Sequence, residues 1–512
     1  MLKNTKFTIP DASAVTVAAF RSRLAQCDDA MYVEYIVNPE SGLRCTVIFI
    51  DGMIASDLAH EHILKPLTTG AELKSLHDGR AVVDAILRGG LYHGQRKLCE
   101  TLDDAMTELL FGSVLVVFDD CALAVAFDAK GFEKRAIAEP TNENVLKGSR
   151  ESFVEIMRVN TSIVRRHIKS EELKVRQLTL GRRTNTSVAV LYMDGIVNAE
   201  TLNRVIKQLE SVEIEGLTTA GQFETLLYGK RFTLFPQAIY TERPDKLAGC
   251  LLEGRIGLII DGLSIAYITP IDLHSLMQAP EDYSHHYVLA SFFRILRYIC
   301  TIASLILPAL YVSVTTFHQE MIPTQLVVSI ISSKRGAPFP TYMEVLLMLI
   351  AFEVLLEAGL RLPRAVGQTV SIVGALVVGQ AAIQANILSP GVVIIIAAAG
   401  ITGFVVPSQD LSNANRLLRI ALVLLATIGG LFTTMLGLIA ILYSMCTLEI
   451  FGTPYLSPLV ANDGEQMFAD TITRRSWATK SERPSNLHPA DITRKPEKSD
   501  DAESNDGDGG AQ

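Results

Sequence analysis

Apolar positions along this chain follow two regimes. Up to about residue 290 they come in short β-rich runs, such as Thr46-Val-Ile-Phe-Ile50 and Val188-Ala-Val-Leu-Tyr192, separated by longer stretches of helical spacing. Beyond Tyr298 they come in long uninterrupted runs. No Asp, Glu, Lys or Arg occurs in the 22 residues Tyr298–Gln319, the 45 residues Ala365–Gln409 or the 29 residues Ile420–Leu448. The first regime predicts α/β domains. The second predicts helices that cross a membrane, since a span needs ~20 mainly apolar residues.

Five candidate spans follow. They are Tyr298–Phe317 with Pro308 inside it, Tyr342–Leu360, a helical hairpin of Val366–Ala385 and Val392–Val406 split at Asn386–Gly391, and Leu417–Cys446. Met321–Ser332 is too short to span and reads as re-entrant. Five spans place the C-terminus opposite the N-terminus. If one candidate only lies at the interface, both termini share a side, and the count stays at four or five. The predicted organisation is a duplicated α/β N-terminal domain (subdomains 1–145 and 146–290), an all-α polytopic transmembrane bundle (291–460) and a disordered acidic tail (461–512). The tail expectation rests on Ser499–Gln512, which is acidic and Gly-rich and lacks aromatics.

The duplication is read from spacing. Asp51-Gly52 and Asp194-Gly195 each close a β-rich run and lie 143 residues apart. Gly112 and Asp119 match Gly254 and Asp261 at an offset of 142. Two matches at nearly one offset indicate a repeated unit. Asp-Gly at a strand end is a turn signal, and its functional alternative is a ligand site at the strand ends. Between the repeats, Gly148–Glu155 and Ile163–Lys169 suggest a basic amphipathic helix, read as a solvated connector packed on the second subdomain.

Composition changes the picture little. The 512 residues are 49% hydrophobic and 20% charged, with a net charge of −9. That balance and the lack of a basic stripe argue against nucleic acid as a partner. Met1–Val15 carries Lys3, Lys6 and Asp11 and no apolar core, so the first 290 residues are expected to stay cytoplasmic. Arg294/Arg297, Arg361/Arg364 and Arg416/Arg419 fall on one side of alternating spans and support that orientation, while Lys334/Arg335 dissent. Seven scattered cysteines without a CxxC pair fit reduced thiols.

No enzyme motif is present: there is no P-loop, zinc-protease helix, nucleophile elbow or dinucleotide fingerprint. The expectation is a non-enzymatic protein with no cofactor and no metal. His285-His286 has no neighbouring ligands in sequence. Ser291–Tyr298, with Arg294, Arg297 and three aromatics, reads as an interfacial helix whose arginines meet lipid phosphates.

The membrane carboxylates are more informative, because a charge at bilayer centre costs ~2.5–3.5 kcal/mol on insertion scales. Glu357 suits an ion pair with Arg361, four residues on. Glu344 lies beside the same span. Glu353, the deeper one, reads as an ion-coupling residue or as a hydrogen-bonded anchor between helices. In the third span, Val370, Val373, Val377, Gln380 and Gln384 share one helical face, and Ala375 and Gly379 allow close helix approach. A stripe of valines followed by amides suits a pore with a dewetting gate and a polar mouth. The alternative is amides bonding neighbours in a closed bundle.

Several ordered blocks carry a resemblance to a known family. They are Phe235-Pro236-Gln237, Tyr240–Asp245, Pro280–Tyr283, Leu307–Val312, Thr315–Thr324, Pro338–Pro340, Arg361–Ala381 and Phe451–Leu459. Over roughly residues 150–460 the chain resembles the A subunit of the GerA family of bacterial spore-germination receptors. The resemblance implies a receptor subunit in the inner spore membrane. It implies as partners a transporter-like B subunit that binds the nutrient, a lipoprotein C subunit and other A subunits. It further implies that the A subunits self-associate into a nutrient-gated ion channel. A secondary transporter and a membrane scaffold are the alternatives from the residues alone.

Overall fold

A computed structural model describes residues 14–91, 94–131, 140, 143, 145, 147–229, 233–361, 379–459, 470–476 and 482–494. The chain divides into two compact units, one of residues 1–230, 240–270 and 481–512, the other of 231–239 and 271–480.

The first unit holds two five-stranded sheets that repeat each other strand for strand. Strands β1 (Ala30–Asn38), β2 (Leu43–Ile50), β3 (Arg96–Cys99), β4 (Val114–Phe118) and β5 (Leu123–Phe127) lie in the order β1-β2-β4-β5-β3. Strands β6 (Leu173–Leu180), β7 (Thr186–Met193), β8 (Ile239–Thr241), β9 (Ile256–Ile260) and β10 (Ala266–Thr269) lie in the order β6-β7-β9-β10-β8. Pairs β1–β2, β4–β5, β6–β7 and β9–β10 are antiparallel hairpins. The strand-and-helix alternation therefore does not build parallel βαβ units. The links within these pairs are short turns, and a parallel return needs a crossover of a dozen residues or more.

Strands β4 and β9 are buried at every position, because helices cover both faces of each sheet. On the first sheet, Val114, Val116 and Phe118 join one core cluster and Leu115 and Val117 the other. Helices α1 (Val17–Arg23), α2 (Leu102–Leu110), α3 (Met157–His167), α4 (Ala199–Glu210) and α5 (Pro244–Leu252) complete the repeats. Equivalent aspartates hold equivalent helix starts: Asp119 Oδ1 accepts from the Val17 amide at 2.8 Å and Asp261 Oδ1 from the Met157 amide at 3.0 Å. Both are N-terminal charge–dipole contacts.

Helix α3 corrects the solvated-connector expectation. Residues Asn160–Arg165 are buried. Arg165 donates through Nε and Nη2 to both oxygens of Asp29 at 2.7 and 2.8 Å, with 1% and 7% of the two side chains exposed. The charged residues of α3 thus join the two repeats. The Asp28 amide bonds the Val175 carbonyl at 2.9 Å, and Asp28 Oδ2 accepts from the Gln177 amide at 2.7 Å.

The second unit is helical. It contains α6 (Tyr287–Thr316), α7 (Thr324–Ser333), α8 (Thr341–Arg361), α9 (Pro390–Gly403) and α10 (Gln409–Cys446). Helices α6 and α10 are long and apolar enough to cross a membrane by length and composition. Pro308 is buried inside α6, and α7 buries no residue.

Helix α10 is not one rod, which corrects the reading of Leu417–Cys446 as a single span. Gly429 (φ −145°, ψ 25°) and Gly430 (φ 59°, ψ −135°) leave helical geometry. In a continuous helix Leu422 and Gly437 stand about 22 Å apart. Here a Cβ placed on Gly437 falls 2.8 Å from Leu422 Cδ2 and 2.6 Å from Leu425 Cδ1. The chain therefore reverses at the two glycines into an antiparallel hairpin. A Cβ on Gly430 meets Phe317 at 2.9 Å, so space as well as the positive φ demands glycine. The second arm runs back along α6, where Ser313 and Thr434 hydroxyls bond at 3.0 Å. It leads to buried Tyr455, whose carbonyl accepts from the Leu273 amide at 2.8 Å. The chain enters and leaves this unit at one end, because the last apolar run supplies two legs.

Two further expectations change. Arg294 is 1% exposed and bonds Asp282 at 3.0 Å and Asp470 at 2.8 Å, and Arg297 bonds both oxygens of Asp282 at 2.7 Å. These arginines are taken by carboxylates and not left for lipid phosphates. The segment 461–512 is not tail throughout. Arg474 Nη1 donates to the His285 carbonyl at 2.9 Å, and Tyr283 lies between the Arg294 and Arg474 guanidinium groups at 5.4 and 5.2 Å. Further on, Arg483 donates to the Leu252 carbonyl at 3.1 Å and Arg494 pairs with Glu253 at 3.2 Å. Composition describes the average of a segment, whereas single Arg and Asp anchors fix parts of it.

Candidate functional site

The site begins with the carboxylates that apolar helices carry. Helix α8 starts at Thr341 and carries Glu344, Glu353 and Glu357, whose exposure rises along the helix. Glu344 is fully buried. Its Oε2 accepts from the Ser389 amide at 2.9 Å and the Ser389 hydroxyl at 2.6 Å. Ser389 is the residue before α9, so Glu344 holds the positive end of that helix dipole and ties α8 to α9. The Tyr311 ring reaches the same place, its hydroxyl 2.7 Å from a Cβ placed on Gly391.

Glu353, nine residues further along α8, meets two arginines from the first arm of α10. Its Oε2 accepts from Arg416 Nε at 2.8 Å and also from Arg416 Nη2, and its Oε1 accepts from Arg419 Nη2 at 3.2 Å. Arg416 and Arg419 lie three apart, one turn along the helix, so one carboxylate can bridge both. Glu357 pairs with Arg361 at 2.6 Å, with 59% and 79% of the side chains exposed.

Of the pore-stripe residues, Val370, Val373 and Val377 lie outside the described residues. Gln380 and Gln384 are exposed on the turn of helix that precedes Asn386, and Gly379 beside them is buried with a Cβ position 3.4 Å from Val393. The described geometry thus brings Glu344 and Glu353 into interhelical contacts and leaves Glu357 at the surface. Sequence reasoning missed the partners: Ser389, and Arg416 with Arg419 on Glu353. The only sequence signal was two basic residues one turn apart at the start of a 29-residue uncharged run.

The Asp-Gly turns differ between the repeats. Both glycines have positive φ, 81° at Gly52 and 76° at Gly195. Asp51 pairs with Arg158 of α3 at 2.5 Å, and burial, only partly offset by Arg158, raises its pKa above the usual carboxylate value. Asp194 is exposed, and its carboxylate accepts from the next amide at 3.1 Å. Buried thiols are also held protonated, with Cys45 pushed up to about 12 and Cys99 to about 11 by burial. Among the described residues no group of His, Cys, Asp and Glu is arranged to hold a metal.

The family model described as "Bacillus/Clostridium GerA spore germination protein" matches residues 18–486. The chain belongs to the GerA spore germination family. Among its relatives, "Spore germination protein KA" of Bacillus subtilis (strain 168) is 36% identical over 492 residues, 96% of this chain and 90% of the relative. "Uncharacterized membrane protein YfkQ" of the same organism is 36% identical over 458 residues, 90% of this chain and 88% of that one. "Spore germination protein B1", also from Bacillus subtilis, is 31% identical over 474 residues, 93% of this chain and 97% of the relative. A solved structure, the N-terminal domain of the A subunit of the Bacillus megaterium spore germinant receptor GerK3, aligns with 50% of this GerA-family chain and 96% of its own length at 23% identity and a TM-score of 0.39.

Proposed function

We propose that this chain is the A subunit of a nutrient-germinant receptor that triggers spore germination and acts without enzymatic chemistry. The observation that carries the reading is the match of nearly the whole chain to spore germination proteins. The proposed setting is the inner spore membrane, with the N-terminal unit cytoplasmic and the helical unit spanning the bilayer. Long apolar helices support this, as do Arg361, Arg416 and Arg419 toward the end where the chain enters.

In this reading several copies assemble around the third apolar segment and form an ion channel. Val370, Val373 and Val377 supply the hydrophobic gate, and Gln380 and Gln384 the polar mouth. The exposed positions of the two amides leave them free to face water or another copy. A partner of the transporter-like B type binds the nutrient and biases two packed states of the assembly, with a lipoprotein of the C type completing the complex. Its signal must favour the open state over the closed one, or nothing opens.

The test is conductance of the reconstituted assembly. Val377→Ala widens the gate and is expected to leak without nutrient. Silent bilayers for Val377→Ala and Val373→Ala alike would refute the channel. A secondary transporter with Glu353 as coupling residue is the second reading, and it predicts saturable uptake lost in Glu353→Gln. The two arginines on Glu353 count against it, because a coupling carboxylate has to be open to its ion.

A further inference from the structure

Asn415 and Arg419 stand four residues apart on one face of the first arm of α10. Both side chains are more than nine-tenths buried, at 8% and 4% exposure. Arg419 Nη2 is used on Glu353, and Arg419 Nη1 reaches the Ala399 carbonyl only at 3.4 Å. Arg419 Nε and Asn415 Nδ2 have no acceptor among the described residues. Arg416 is used on Glu353, and its Nη1 donates to Asn413 Oδ1 at 3.1 Å.

Charge is unbalanced as well. Two guanidinium groups face one carboxylate, which leaves one positive charge over, and among the described residues no other Asp or Glu forms an ion pair with Arg416 or Arg419. A buried donor without an acceptor costs about 1–3 kcal/mol, and an uncompensated buried charge costs more. Water can satisfy the donors but not the charge. An oxyanion satisfies both, and the planar guanidinium fork suits phosphate oxygens. Glu353 and Arg416 are 22% and 24% exposed, so one edge of the cluster is open to its surroundings.

We infer that Asn415, Arg416 and Arg419 form an oxyanion site that takes a phosphate group, carried on a phospholipid headgroup or free in solution. This goes beyond the receptor reading and does not depend on it, since neither arm of the test below needs nutrient, partner subunits or conductance.

The experiment is thermal unfolding of the full-length protein in an uncharged detergent. One arm compares inorganic phosphate with chloride at equal ionic strength. The other compares mixed micelles containing phosphatidylglycerol with micelles containing diacylglycerol, which lacks the phosphate. The wild-type midpoint is expected to rise with at least one phosphate-bearing probe. A rise with phosphatidylglycerol alone identifies the lipid headgroup, and a rise with inorganic phosphate alone identifies the free ion. Arg419→Gln and Asn415→Leu should each weaken the apparent affinity about tenfold, as expected for loss of a charge-assisted bond or a buried donor. Glu353→Gln leaves two positive charges and should bind the same probe more tightly, an outcome that a purely structural ion triad does not give. If Arg419→Gln fails to fold, Asn415→Leu and Glu353→Gln still decide. The inference is overturned if neither probe shifts the wild type, or if the shift is unchanged in Asn415→Leu and not enlarged in Glu353→Gln.

Discussion

Two buried ion clusters, one in each unit, use the same residue types to different ends. In the first unit one arginine meets one carboxylate: both oxygens of Asp29 are matched by Arg165 and the charges cancel. Burial works against the Arg165 charge, and Asp29 more than reverses that, so the guanidinium is held charged more firmly than in water. In the second unit one carboxylate meets two arginines, and donors stay unmatched among the described residues. A closed, neutral pair can only be broken, and its work is to lock the two repeats together. An open, charged cluster can also be filled. The comparison teaches that charge balance and donor satisfaction, not burial alone, separate an anchor from a site.

The largest effect should come from breaking the closed pair. Asp29→Ala leaves Arg165 buried without a partner and is expected to cost about 3–5 kcal/mol, read as a fall in the urea midpoint of the full-length protein. The double replacement Asp29→Leu with Arg165→Met should recover most of that loss, because it removes both charges together. A double variant as unstable as the single one would show that the pair is not the lock between the repeats.

Next in size is the turn that reverses α10. Gly430→Val puts a branched side chain at positive φ and into Phe317, and strain of this kind costs of order 1–3 kcal/mol. A lower melting midpoint in detergent for Gly430→Val, set against a midpoint that is not lowered for Gly249→Ala, an exposed helical position with open space for a methyl group, is the expected contrast. Equal midpoints would argue for a straight helix.

The hairpin also shows how far the residues alone could be read. The duplicated α/β unit was legible, because Asp-Gly and Gly…Asp pairs recur at offsets of 142 and 143, and a shared spacing of that length marks a repeated unit. Apolar runs were legible because length alone predicts them. What a run of 29 uncharged residues could not reveal is a reversal inside it. Gly429-Gly430 is one small-residue pair among many in that region, and the contacts that demand it, Phe317 and Leu422, are distant in sequence or out of register. The partners of Glu344 and Glu353 were hidden for the same reason: Ser389, Arg416 and Arg419 lie 45 to 66 residues further along. Arg294 and Arg297 misled because aromatic neighbours and basic charge describe an interfacial helix equally well when the real partners, Asp282 and Asp470, lie outside the motif.

The smallest effect is one of pH, at the first of the two Asp-Gly turns. Burial raises the Asp51 value above its unfolded one, so the folded state holds the proton more tightly. The contribution of Asp51 is fully present below the ordinary carboxylate value near 3.9 and is lost as pH rises through the raised folded value. In urea titrations the wild type should therefore lose stability relative to Asp51→Asn as pH rises from about 4 toward neutral. With Asp51 only half buried, the difference should stay under about 1 kcal/mol. The opposite slope at Asp51 would mean that Arg158 outweighs burial.

One measurement bears most directly on the account of the helical unit as a membrane domain that returns to its starting side. It is labelling with a membrane-impermeant maleimide in sealed vesicles of known sidedness, mapped by mass spectrometry. Cys446 is exposed at the end of the second arm of α10, and Cys27, Cys45 and Cys99 are buried; a cysteine replacing Ile428, 73% exposed, marks the turn of the hairpin. The account predicts that Ile428→Cys is labelled from the face opposite the N-terminal unit, that Cys446 is labelled only from the face of that unit, and that the buried thiols stay silent. Labelling of both positions from one face, or of Cys446 from the face opposite the N-terminal unit, would contradict it.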